Sequence, residues 1–165
     1  MVVSAVYIID EFCLKNEIEE SVRKYEELNQ RFVELERKWL LENRLLEDFS
    51  GRVKRDPLQN EREDMARLKK IKTFVYEVKG LLSEIHHEIL IVREQHEKSK
   101  SHTVMSLGIV AIGAAITYFT SDEPYLRKAG EFAMYCGGAG ALLSLENVAE
   151  TEKLLEDLEN LEKES

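Results

Sequence analysis

Charged residues make up 33% of this 165-residue chain, yet residues 101–121 contain no Asp, Glu, Lys or Arg. A second uncharged run, residues 132–145, follows after "TSDEPYLRKAGE". Two apolar runs around a short polar tip with Pro124 predict a helical hairpin. Residues 103–119 number 17, the lower limit for a helix that spans a bilayer. The second run has 14 residues, and extending it back to Ala129 takes in Glu131. Three placements fit: a spanning hairpin with Glu131 near the headgroups, partial or triggered insertion, or the buried centre of a water-soluble bundle.

Residue size favours lipid. Gly108, Ala111, Gly113, Ala114 and Ala115 make the first run narrow, and Ala133, Gly137 and Ala141 recur every fourth residue in the second. Small residues at that spacing let two helices approach closely in hydrocarbon, where hydrophobic expulsion does not hold them together. In water the same glycines lose backbone entropy while adding little buried area. The expected packing positions are Gly108, Gly113, Ala133, Gly137 and Ala141. Tyr118, Phe119 and Tyr125 cluster at the tip, where interfacial aromatics fit.

The rest of the chain predicts long amphipathic helices. Only two of the eight glycines and one of the two prolines precede residue 108, so the first hundred residues hold few helix breakers. From Ile18, the residues Tyr25, Leu28, Phe32, Leu35, Trp39, Leu46 and Phe49 form one stripe, wide and aromatic like a bundle face. Leu68, Ile71, Val75, Val78, Leu82, Ile85, Ile89 and Val92 step strictly by three and four, a cleaner seam. "SGRVKRDPLQNERED" between them predicts a turn near residues 50–60. The pair folds back antiparallel, stabilised by Phe32, Trp39, Leu82 and Ile85. Its uncovered face needs the C-terminal segment, another chain or a separate protein. "LENVAETEKLLEDLENLEKES" repeats leucines at helical spacing and is acidic enough to lie beside the basic faces of the second arm.

The expected fold class is therefore all-α: an antiparallel helical bundle or coiled coil carrying an apolar, Gly/Ala-rich hairpin. Residues 1–98 form the charged arms, 99–146 the hairpin and 147–165 an acidic C-terminal helix.

The layout of residues 100–151, about a third of the chain, resembles the apolipoprotein L family. "SLGIVAIGAAITYFTSDEP" looks like that family's first hydrophobic arm and turn, and "AGEFAMYCGGAGALLSLENVAET" like its returning arm. Gly108, Gly113, Thr120, Gly138 and Gly140 are the closest positions by layout. This tip, "SDEPYLRK", is polar where the family's turn is mostly small and apolar. The resemblance implies association with lipid and intracellular membranes and, as in some members, ion permeation.

Chemistry of other kinds finds little footing. The net charge of −9 includes no basic stripe with interleaved aromatics, so nucleic acid is not an expected partner. Cys13 and Cys136 are too few for a disulfide framework. No phosphate loop, nucleophile elbow or metal-ligand spacing is present, and neither an enzyme nor a cofactor is expected. His86 and His87 are consecutive and cannot share a helix face. His96 falls on the second seam and His102 at the hairpin boundary, so both are candidate pH-sensitive positions. The expected partners are membrane lipids, with self-association or a coiled-coil protein for the arms. The expected location is an intracellular membrane, with a cytoplasmic scaffold or adaptor, its hairpin buried in its core, as the alternative.

Overall fold

The computed structural model describes the backbone of residues 2–50, 57–120 and 122–164, and the side chains of 9–42, 65–120 and 122–164. It contains three α-helices: α1 (Val2–Ser50), α2 (Pro57–Phe119) and α3 (Pro124–Glu164). Among the described residues there is no strand, so the fold is all-α. Pro57 and Pro124 each occupy a first helical position, where the missing N–H has no intrahelical partner to lose. The turn expected near residues 50–60 falls partly on residues 51–56, outside the described residues. The hairpin tip is tight: Thr120 N–H donates to Ile116 O (3.0 Å), Glu123 N–H to Thr120 O (3.1 Å) and Arg127 N–H to Glu123 O (3.0 Å).

The boundaries expected at residues 98–99 and 146–147 do not interrupt the backbone. The second arm and the first hairpin run are one 63-residue helix, and the returning run and acidic tail are one 41-residue helix. Nothing near residue 98 or 146 breaks a helix, and a change from charged to apolar side chains alters a helix's surroundings without altering its hydrogen bonds. At ~1.5 Å rise per residue, α2 is a rod roughly 94 Å long.

α2 runs antiparallel to both other helices, and its neighbours change along its length. Beside the tip it faces α3. In the middle all three helices meet in a core of Leu28, Leu81, Ile85, Ile89, Val92, Leu154, Leu158 and Leu161, flanked by Val22, Tyr25, Phe32, Leu35 and Leu155. Beyond the end of α3, among the described residues, α2 is left with α1 alone beside it, with Trp39 stacked on Phe74 (centroids 4.8 Å apart) and Glu42 3.5 Å from Lys70. Of the three partners open to the arms, the C-terminal segment covers the middle. Its acidic face meets basic residues as expected: Arg93 and His86 of α2 contact Glu159 and Glu162 (both 3.1 Å), and Lys15 of α1 reaches Glu146 at 3.2 Å.

The second seam divides at that point. Ile85, Ile89 and Val92 are buried, whereas Leu68, Ile71 and Val75 are 62%, 42% and 54% exposed. Periodicity marks which face of a helix is apolar but carries no information on how far its covering partner extends.

Candidate functional site

The hairpin is packed along its seam and bare outside. A methyl group built at Gly113 would lie 2.7 Å from the Gly130 carbonyl oxygen and 2.9 Å from Met134 N. At Gly137 it would lie 2.8 Å from Ser106 O and 2.9 Å from Val110 N. These are backbone atoms, which cannot swing aside, so the two helices touch at a distance only glycine permits. Ala141 is buried on the same face and Ala133 half-buried. Gly108 departs from the expectation: it is exposed, and a methyl there would meet nothing within 4 Å. It lies off the row of α2 that carries Ser106, Val110 and Gly113. The contact instead uses Gly130 and Gly140, opposite Gly113 and Ser106 respectively. Both belong to the same four-residue and three-residue steps as Gly137, a signal present in the sequence once the row is continued in each direction.

Three hydroxyl groups on this seam bond within their own helices, whereas the buried Ser106 Oγ has no hydrogen-bond partner. Thr117 donates to Gly113 O (2.9 Å), Thr120 to Ile116 O (2.6 Å) and Ser144 to Gly140 O (2.9 Å), each bonding back one turn along its own helix. Thr103 bonds across the seam to Ser144 at 3.0 Å. The outer surface is the reverse. Val104, Leu107, Ile112, Phe132 and Leu142 are each at least half exposed, and Tyr118, Phe119, Tyr125 and Tyr135 range from 78% to 89%. The described side chains of α1 leave these residues exposed. Among the described residues one helix, Met65–Phe119 within α2, is long and apolar enough to cross a membrane by length and composition.

A layer of buried polar side chains separates the hairpin from the apolar three-helix core. Glu11 of α1, with its carboxylate fully buried, lies between the other two helices. Its Oε1 is 2.9 Å from His102 Nδ1, and its Oε2 accepts from Asn147 Nδ2 at 3.2 Å. One turn further into the bundle, His96 Nδ1 lies 2.9 Å from Thr151 Oγ1; below it Gln95 Nε2 donates to Ser21 Oγ at 3.3 Å. Burial lifts the Glu11 carboxyl above its ordinary 4.5, and the adjacent His102 opposes that rise without cancelling it. The structure thus places both singled-out histidines in this layer, each against a different helix. Glu11 and Asn147 were not foreseen, because one acid among many on an amphipathic helix has no distinguishing neighbour in sequence. His86 pairs with Glu162 at the surface.

Among the described residues no group of three or more His, Cys, Asp or Glu side chains is arranged to hold a metal ion. Cys13 is exposed and Cys136 half-buried in the hairpin; both are free thiols. Comparison with protein-family models, with curated proteins and with solved structures finds no match to this chain.

Proposed function

We propose that the protein is a membrane-engaging helical rod whose glycine-seamed hairpin enters lipid and whose charged arms project into the cytosol. The observation that carries this reading is the hairpin's inside-out construction. Its small residues meet each other, and its large apolar ones face outward, where each is worth about 1.5–3 kcal/mol once removed from water. Lys98 and Lys100 stand just before the first run, and positive residues flanking a span favour the cytosolic side. Residues 103–119, the apolar centre of the 21-residue uncharged run, measure roughly 25 Å as a helix, less than the ~30 Å hydrocarbon layer. Insertion therefore draws the bilayer thinner or stops short of the far headgroups. Glu131 is helped by Arg127, whose Nε donates to it at 3.1 Å one turn away. Local thinning around such a hairpin is a direct route to altered membrane shape or permeability.

The two native thiols test the reading. With liposomes added, a water-soluble maleimide is expected to label Cys13 on the arm and to lose access to Cys136 in the hairpin. The membrane pellet should also resist a carbonate wash. Equal labelling of Cys136 with and without lipid, together with a monodisperse detergent-free protein, would overturn it. That outcome would favour a soluble scaffold whose hairpins bury one another. Leakage of an entrapped dye would separate permeabilisation from simple insertion.

A further inference from the structure

We propose that the groove beyond the end of α3 is a docking site for an acidic amphipathic helix of a partner protein, laid in line with α3. On α2, the residues that meet α3 follow one row: Gly113's neighbours Val110 and Ser106, then Thr103 and His96, then Ile89 in the shared core. Continued at the same steps, that row runs through Val75 and Leu68, with Val78 and Ile71 beside it. α3 ends after Leu161, its last buried leucine, near Leu81 and Ile85. From there onward the face it occupies is bare, and Leu68, Ile71 and Val75 are exposed. Trp39 of α1, stacked on Phe74, stands on the α1 side of the groove. The stretch from residue 68 to 82 is roughly 21 Å long, the length of two helical heptads.

Charge identifies the occupant. Arg93 and His86, seven residues apart on the rim of α2, contact Glu159 and Glu162 of α3. Two further steps of seven reach Lys79 and Lys72, both exposed, on the same rim. Residues 65–79 carry five basic side chains and one acidic, whereas α3 from residue 146 to 164 carries eight acidic and two basic. The groove thus repeats, in apolar row and cationic rim, the surface that already holds an acidic helix. A second copy is a poor occupant. Joined face to face, two copies would set this basic stretch against itself, and the acidic face of each α3 is already engaged within its own chain.

The test uses the full chain in detergent micelles and two labelled synthetic helices with leucine at the a and d positions. One carries Glu at e and g, the other Lys. The acidic helix is expected to bind at least about tenfold more tightly than the basic one, a difference of ~1.4 kcal/mol. Ile71→Glu with Val75→Glu, at exposed positions where the fold does not depend on them, should weaken it about tenfold or more. Lys72→Glu with Lys79→Glu should reverse the preference, while Arg93→Glu should leave binding unchanged. Binding of neither helix, equal binding of both, or loss only with Arg93→Glu, which would mean that the probe displaces α3, would each overturn the proposal. So would self-association of the chain that Val75→Glu abolishes, since the groove would then serve a second copy.

Discussion

Glycines in this chain have opposite duties within five residues of one another. At Gly113 and Gly137 the partner helix's backbone stands where a side chain would begin, whereas Gly108 faces open space. Gly137→Ala is therefore expected to push the hairpin apart and destabilise it by about 1–3 kcal/mol, the usual range for overpacking. Gly108→Ala should be neutral or stabilising by up to ~1 kcal/mol through helix propensity. Thermal melts in micelles, followed by far-ultraviolet circular dichroism, distinguish the two. Glu11 supplies the pH-dependent case. Its folded pKa is raised, so the folded chain holds the proton more tightly than the unfolded one, and stability contributed by this group falls as pH rises above 4.5 through the raised value. Glu11→Gln should accordingly gain on the wild type between pH 4.5 and pH 7.5 in urea denaturation. The opposite slope would show that pairing with His102 outweighs burial.

For the helices, what matters is which partner each stretch meets. Leu158 is fully buried among α1 and α2 residues, and Leu158→Ala should cost about 2–5 kcal/mol by transfer and cavity terms together. The Arg31–Glu84 pair between α1 and α2 is half exposed, so Glu84→Gln should cost ~0–1 kcal/mol despite its two-point contact. Arg31 holds the Glu84 carboxyl below its ordinary range, and that small contribution is present above pH 4.5 and fades as pH falls through the lowered value. The helical state and the apolar faces of these elements were legible in the sequence, because step-by-three-and-four patterning and scarce breakers are local properties. Their lengths were less so. The change from charged to apolar side chains at residue 98 resembles a boundary, yet α2 passes through it unbroken. The pairing of Glu11 with His102 and Asn147 joins residues 91 and 136 positions away, and no local pattern encodes such a distance.

For the whole molecule, the same helix that contributes half of the hairpin proposed to enter lipid also carries the proposed docking groove at its other end. Val75 and Gly113 lie 38 residues apart on α2, about 57 Å along its axis. Between Val75 and the hairpin, Gly80 is the sole glycine and no proline interrupts α2, so no hinge is built in. The two ends are thus keyed in rotation as well as distance. One alanine inserted after Leu90 would turn the groove by about 100° against the hairpin. An insertion of seven would leave the two faces in phase and merely lengthen the shaft. With the proposed partner gripping one end and the proposed lipid around the other, a spindle of this kind would pass torque between them.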